Sequence, residues 1–172
     1  MKVLTGLAFL ATAFALAAAT SGVAGASHTA SMVMVKTRTI SGYGTVLVDA
    51  QGHTLYVFAR DKRRHVTCTG SCASFWPPLK QKGSVKATAG GSAKGSLIGS
   101  DKDPAGGRVV TYSRYPLYAY VGDHSAGTAK GEGLNVSGGL WYMLSPSGTV
   151  IKHKASGGGG GGGGTTTSGG WG

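Results

Sequence analysis

The sequence contains few of the residues from which active sites are usually built. It has two cysteines, six acidic residues and five histidines in 172 residues. Gly-x-Ser-x-Gly, a phosphate-binding loop and His-Glu-x-x-His are all missing, so the common hydrolase, nucleotide-binding and zinc-protease signatures are excluded. Cys-x-x-Cys and Cys-x-x-Cys-His, which mark thioredoxin-like and covalent haem proteins, are missing too. We therefore predict no catalytic residue and a protein that is not an enzyme.

Long apolar runs are confined to the N-terminus. The chain has a positively charged start, an uncharged apolar stretch at residues 4–19 and small residues at positions 24–26, where a signal peptidase reads them. The apolar stretch is shorter than the roughly 20 residues of a spanning helix. We therefore predict a cleaved signal peptide and no transmembrane segment after cleavage. No cysteine lies near the cleavage site, which excludes lipid attachment to a cysteine there.

The scarcity of acidic residues leaves a strongly basic chain. Seventeen Lys and Arg against six Asp and Glu give a formal charge of +11, and without Lys2 of the signal peptide the charge is +10. This sign favours association with anionic cell-wall polymers or a membrane surface, although a soluble surface with a basic bias is the simpler interpretation. No specific nucleic-acid partner is expected for an exported protein. The basic residues are scattered, apart from Arg60, Lys62, Arg63 and Arg64.

One motif, Leu-Tyr-x-aromatic-x-x-Asp, occurs twice. Its copies at residues 55–61 and 117–123 start 62 residues apart, and a repeated sequence element indicates a repeated structural unit. Around both copies, short runs of apolar and β-branched residues alternate with Gly, Pro and Asp turns, and helical periodicity is missing. This pattern predicts an all-β fold in which two pseudo-symmetric repeats, each of about four short strands, pack as a small sandwich or barrel.

The motif copies also divide the chain into segments. A run of eight glycines near the C-terminus cannot contribute to a core, so it predicts a disordered tail. The predicted segments are a signal peptide at 1–26, a leader at 27–32, a two-repeat β domain at 33–154 (repeat one 33–79, linker 80–95, repeat two 96–154) and the Gly-rich tail at 155–172.

In a strand, the two aromatic residues of each motif copy project to one face and the residues between them to the other. Large aromatics dominate the energetics of small cores, so we interpret them as core residues rather than a ligand platform. The two aspartates fall just past the strand ends, where Asp commonly accepts backbone N–H bonds and fixes a loop. A catalytic carboxylate pair would need a separation of roughly 5–9.5 Å, and nothing in the sequence places them so. The motif residues are Tyr56, Phe58, Asp61, Trp76, Tyr118, Tyr120, Asp123 and Trp141.

The two cysteines allow two interpretations. In an exported protein, Cys68 and Cys72 most simply form a disulfide, which shapes the loop before Trp76. Alternatively, His65, Cys68 and Cys72 supply three soft ligands on one loop, suited to copper or zinc.

Taken together, these motifs resemble those of the bacterial secreted-repeat lipoproteins with a Yx(FWY)xxD motif. The resemblance rests on the two motif copies, on Cys-Thr-Gly-x-Cys-Ala-x-x-Trp-Pro-Pro-Leu at residues 68–79 and on Gly-Gly-x-Trp-Tyr at residues 138–142. It covers most of residues 34–150 and implies an exported envelope protein with repeat architecture. The family's biochemical function is unknown, so the resemblance leaves activity open. Because this chain lacks a lipid-accepting cysteine after the signal, free secretion or wall association is favoured over membrane anchoring.

The sequence thus predicts a secreted or cell-envelope protein that acts as a non-enzymatic structural or binding module. The alternative is a metal-binding or redox protein that uses the Cys68 and Cys72 loop. Neither the ligand nor the oligomeric state follows from the sequence.

Overall fold

Short β-strands account for nearly all the regular structure. The computed structural model describes residues 32–63 and 65–152, so the predicted signal peptide, nearly all of the leader and the Gly-rich tail lie outside the described residues. The all-β class is confirmed, and the described residues contain no helix that is long and apolar enough to cross a membrane. The elements are β1 (Met34–Ile40), β2 (Gly44–Val48), β3 (Tyr56–Phe58), helix α1 (Ser71–Phe75), β4 (Thr88–Ala89), a 3-10 turn (Gly95–Leu97), β5 (Ile98–Lys102), β6 (Arg108–Tyr112), β7 (Tyr115–Pro116), β8 (Asn135–Val136), β9 (Gly139–Leu144) and β10 (Val150–Ile151).

The strands pair into three small sheets. In the first, of order β2-β1-β4, β1 is antiparallel to β2 and parallel to β4. The second has the order β10-β9-β3, with β8 also paired to β9, and the third has the order β5-β6-β7. Within residues 32–63 and 65–152 no barrel closes. The barrel is therefore not confirmed, and the sandwich stays a prediction.

Strand β3 connects the first two sheets. Two strand-like segments joined by a Gly-containing turn predict a hairpin over residues 45–59. It forms only as far as Leu55, whose N–H donates to the Leu47 carbonyl at 3.0 Å. Beyond this point the chain pairs with β9, which places Phe58 opposite Trp141. The hairpin prediction was therefore wrong for the second half of the segment, because local alternation does not specify which neighbour a strand buried on both faces will take.

Hydrophobic cores lie on both faces of β3. Tyr56 and Phe58 belong to one core, and Leu55 and Val57 to the other; all four are at most 3% exposed. The period-2 alternation is therefore present, but both faces are buried. The first core contains Ile40, Val46, Val48, Tyr56, Phe58, Cys68, Trp76, Tyr118, Trp141 and Met143, and the second contains Val35, Leu47, Leu55, Val57, Val110, Tyr112, Tyr115, Leu117 and Leu144.

The segment before Trp76 is helical. The consecutive prolines predict an edge strand or extended segment over residues 73–79, around Trp76. The first part of that range is instead the end of a short helix, Ser71–Phe75. The Trp76 N–H donates to the Cys72 carbonyl at 2.9 Å and ends it. Pro78 then bridges to Tyr118. A five-residue helix between a cysteine loop and two prolines is too short to show a helical period in the sequence.

The polar connector at residues 80–95 contains regular structure as well. The Thr88 N–H donates to the Val33 carbonyl and the Gly90 N–H to the Val35 carbonyl, both at 2.9 Å. These bonds hold β4 against β1 in parallel. The connector therefore supplies β4, the strand that pairs with the edge of β1 not used by β2.

The β6–β7 turn has an unusual backbone. Tyr112 pairs with Tyr115, so the turn has two central residues, Ser113 at φ 50° and Arg114 at φ 71°. A two-residue turn with both φ positive is the type I′ geometry, for which Asn-Gly is the favoured sequence. The Ser113 N–H donates to the Leu97 carbonyl at 2.8 Å, so a tertiary contact helps to hold the turn.

We predict that Arg114→Gly stabilises the protein. Glycine adopts positive φ without the steric cost that arginine incurs. This gain is larger than the extra conformational entropy that glycine loses on folding, so the free energy of unfolding should rise by about 1 kcal/mol. Urea denaturation followed by tryptophan fluorescence measures the change. The matched control is Lys102→Gly in β5, which should lower stability by about 0.5–1 kcal/mol. A loss of stability in Arg114→Gly would contradict the strain described for this turn.

Candidate functional site

The two copies of the motif are tied together by reciprocal side-chain hydrogen bonds. The Tyr56 hydroxyl donates to Asp123 Oδ2 at 2.6 Å, and the Tyr118 hydroxyl donates to Asp61 Oδ2 at 2.5 Å. All four residues are at most 5% exposed. Buried carboxylates need hydrogen-bond donors, and here each copy supplies one to the aspartate of the other.

The backbones of the two tyrosines are paired as well. The Tyr56 N–H donates to the Tyr118 carbonyl at 2.8 Å, and the Tyr118 N–H donates to the Tyr56 carbonyl at 2.9 Å. Two residues that exchange both bonds form one hydrogen-bonded antiparallel bridge. The two tyrosines are therefore direct neighbours across the bridge. From there, the side chain of each one bonds to the aspartate of the other motif copy.

Four aromatic rings stack beside this bridge. Trp76 and Trp141 form the centre, with ring centroids 3.8 Å apart and planes 2° from parallel. Phe58 stacks on Trp141 and Tyr120 stacks on Trp76, each with a centroid distance of 4.3 Å. The second aromatic of each copy therefore packs on the tryptophan that follows the other copy.

The tyrosines of the bridge close the sides of the stack. Tyr56 meets Trp76 edge-on at 5.5 Å, and Tyr118 meets Trp141 edge-on at 5.2 Å. Aromatic pairs of these geometries contribute about 0.5–1.5 kcal/mol each beyond the burial of their area. Both tryptophans are fully buried, so neither of the two central rings offers a face to a ligand.

The second carboxylate oxygen of each aspartate organises the loop that follows. Asp61 Oδ1 accepts from the Thr67 N–H at 2.7 Å and from the Thr67 hydroxyl at 2.6 Å. Asp123 Oδ1 accepts from the Lys130 N–H at 2.8 Å. Each carboxylate thus joins a tyrosine of one copy to the loop of the other.

The electrostatics of this assembly favour donation by the tyrosines. Burial, together with hydrogen bonding and charge from the facing aspartate, raises the pKa of Tyr56 and of Tyr118. Burial also raises the pKa of Asp61, opposed by its hydrogen bonds from Thr67 and Tyr118. The phenols therefore stay protonated near neutral pH and serve as hydrogen-bond donors.

Cys68 and Cys72 are joined in a disulfide, which confirms that prediction. Two sulfurs bonded to each other offer no thiolate to a metal. The His65 side chain is exposed, and no group of three His, Cys, Asp or Glu suited to a metal ion occurs in the described part of the chain. The alternative copper or zinc site at His65, Cys68 and Cys72 is thus not formed in this structure.

Glu132 is a partly buried acidic residue that the sequence did not indicate. Its Oε2 accepts from the Met143 N–H at 2.7 Å, while Oε1 has no hydrogen-bond partner among the described residues. Burial raises the pKa of Glu132 to about 7, and the Met143 bond opposes the shift. It lies in a Gly-rich loop without hydrophobic periodicity, so nothing local signals its burial.

Charge is distributed very unevenly between interior and surface. None of the six acidic residues is exposed, and Asp61, Asp103 and Asp123 are buried. Of the 14 lysines and arginines in the described residues, 13 are exposed. Lys80 pairs with the buried Asp103. The outer surface is therefore far more uniformly positive than the net charge alone conveys.

The structure gathers all eight motif residues into one assembly. Tyr120 is partly exposed and the other seven are buried. Sequence reasoning found the members and their alternation. It did not find that the hydrogen bonds cross from one copy to the other, because pairing between distant segments leaves no local signal.

Residues 37–80 match the model of a family described as a secreted repeat of unknown function. The match contains the first motif copy, the disulfide and Trp76, and it confirms the resemblance over this range. Neither a comparison with curated proteins nor one with solved structures gave a match.

We predict that Tyr56→Phe and Tyr118→Phe each destabilise the protein. Each change leaves a buried carboxylate oxygen without its donor, which should cost about 1–3 kcal/mol of unfolding free energy. Chemical denaturation at pH 7 measures the loss. Tyr43→Phe is the matched control, since no hydrogen bond is found for the Tyr43 hydroxyl in the described residues, and it should change stability by less than about 0.5 kcal/mol. Equal effects in all three variants would refute the cross-copy pairing.

The raised pKa of Glu132 predicts a pH-dependent loss of stability. The contribution of the neutral carboxyl is fully present below the ordinary pKa of 4.5 and is lost as pH rises through about 7. Glu132→Gln should remove this loss and exceed the wild type by about 1–2 kcal/mol at pH 8, a value reduced for partial exposure. The two proteins should converge near pH 4. Parallel stability profiles from pH 4 to 8 would contradict the prediction.

Proposed function

We propose that this chain is an exported, non-enzymatic protein that binds anionic polymers of the cell envelope through its basic surface. The observation that carries the proposal is the sorting of charge: residues 32–63 and 65–152 contain 13 exposed lysines and arginines and no exposed acidic residue. The match to a family described as secreted supports the envelope as the place of action.

The surface favours a polymer over a small ligand. A uniformly positive surface attracts polyanions by many weak contacts, each screened by salt. Several such contacts made by one polymer add up through effective concentration without any deep pocket. We therefore expect affinity to depend on charge number and ionic strength more than on one residue.

The assignment of the motif to structure supports a non-enzymatic role. Its tyrosine hydroxyls and aspartate carboxylates hydrogen-bond each other and the following loops. An acid–base catalyst needs a group that reaches a substrate, whereas these groups are buried. We further propose that the two motif-containing halves are pseudo-symmetric repeats, since their hydrogen bonds and ring contacts exchange in pairs.

The metal-binding alternative has less support, because a copper or zinc site at His65, Cys68 and Cys72 needs two thiolates and these sulfurs form the disulfide.

Retention on isolated, protein-free envelope material tests the proposal. At physiological salt we expect retention of the purified protein, falling steeply toward 1 M salt as charges are screened. The variant Lys82→Gln/Lys86→Gln/Lys102→Gln should elute at lower salt. The matched control, Lys82→Arg/Lys86→Arg/Lys102→Arg, keeps the charge and should elute with the wild type. No retention at physiological salt would overturn the binding function, and elution independent of salt and charge would overturn its electrostatic basis.

A further inference from the structure

One open cleft lies beside the β6–β7 turn. It has a volume of about 300 Å³ and is lined by Arg63, Ser96, Leu97, Ser113 and Arg114. Two guanidinium groups and two serine hydroxyls thus share one concave surface with no acidic side chain among them. This composition differs from the scattered lysines elsewhere, because donors from three separate chain segments converge here.

Arg63 is held at the cleft by an aromatic ring. Its guanidinium carbon lies 5.5 Å from the centroid of the Tyr115 ring, and Tyr115 is 4% exposed. An arginine over an aromatic face keeps its N–H donors available at its edges. No described carboxylate lies within ion-pair distance of Arg63 or Arg114, so both charges remain available to an anion.

Arg114 occupies a position where arginine is unfavourable. The type I′ turn places it at φ 71° and Ser113 at φ 50°, where Asn-Gly would be less strained. Backbone strain of this kind clusters at functional sites. Both turn residues line the cleft together with Ser96 and Leu97 of the 3-10 turn, and the Ser113 N–H donates to the Leu97 carbonyl.

We propose that this cleft binds a phosphate group carried by an anionic envelope polymer. Arginine forks match the tetrahedral oxygens of phosphate with paired, charge-assisted hydrogen bonds, and serine hydroxyls can complete the shell. The polymer as the carrier rests on the proposed function; the phosphate site itself rests on the cleft. The site adds a fixed recognition point to an otherwise diffuse basic surface.

The first test is an NMR titration of the ¹⁵N-labelled protein with inorganic phosphate at constant ionic strength. We expect saturable shifts of the Arg63 and Arg114 side-chain N–H groups and of the amides of residues 96, 97 and 113. Arg114→Gly, which should fold at least as well as the wild type, should weaken binding about tenfold, as should Arg63→Gln. Lys130→Gln removes the same charge at an exposed position outside the cleft and should stay within about twofold.

The outcomes separate this site from the proposed function. Shifts that never saturate, or that are unchanged in Arg114→Gly, would overturn the site even if envelope retention persists. Saturable phosphate binding without envelope retention would overturn the polymer as its carrier.

Two further binding measurements with the same variants identify the carrier of the phosphate. One uses lipid-free envelope polymer and the other uses phosphatidylglycerol vesicles. Retention on lipid-free envelope polymer that depends on Arg114 supports the proposal. If only phosphatidylglycerol vesicles show this dependence, the carrier is a lipid headgroup and the polymer is overturned.

Discussion

Two buried aspartates need hydrogen-bond donors that lie far from them in the sequence. Asp61 obtains its donor from Tyr118, and Asp123 obtains its donor from Tyr56. A buried carboxylate without a donor costs several times what one added hydrogen bond contributes. The position of each tyrosine is therefore tied to that of the opposite aspartate. The bridge between the tyrosine backbones and the stack of four rings follow from this mutual requirement, since both bring the same segments together.

The same arrangement determines the electrostatic character of the surface. Acidic side chains that serve the interior are unavailable to balance lysine and arginine outside. Asp103 is also buried, and its carboxylate pairs with Lys80. It therefore does not offset the other positive charges of the surface. A chain with only six acidic residues that buries half of them presents an outer charge of one sign. The placement of acidic residues inside and basic residues outside thus has two results: it provides acceptors for internal hydrogen bonds, and it leaves a positive surface that attracts polyanions.

The sequence specified the local features well and the long-range ones poorly. The alternation around Tyr56 predicted which side chains share a face, and the two cysteines in an exported chain predicted the disulfide. The sequence could not predict the strand that pairs with β3, because a hairpin with β2 and the observed pairing with β9 both satisfy the same period-2 alternation. The cleft at Arg63 and Arg114 was equally hidden. These two arginines are some 50 positions apart, and the cleft also takes residues from a third segment, Ser96 and Leu97.

The crossed hydrogen bonds separate the unit of sequence similarity from the unit of folding. The matched stretch, residues 37–80, includes Tyr56 and Asp61, but both of their partners lie beyond it. A polypeptide of that length would keep the two Thr67 hydrogen bonds of Asp61. It would lack the Tyr118 donor of Asp61 and the Asp123 acceptor of Tyr56. The boundaries of the family match therefore do not coincide with those of a unit in which every buried polar group of the motif is paired.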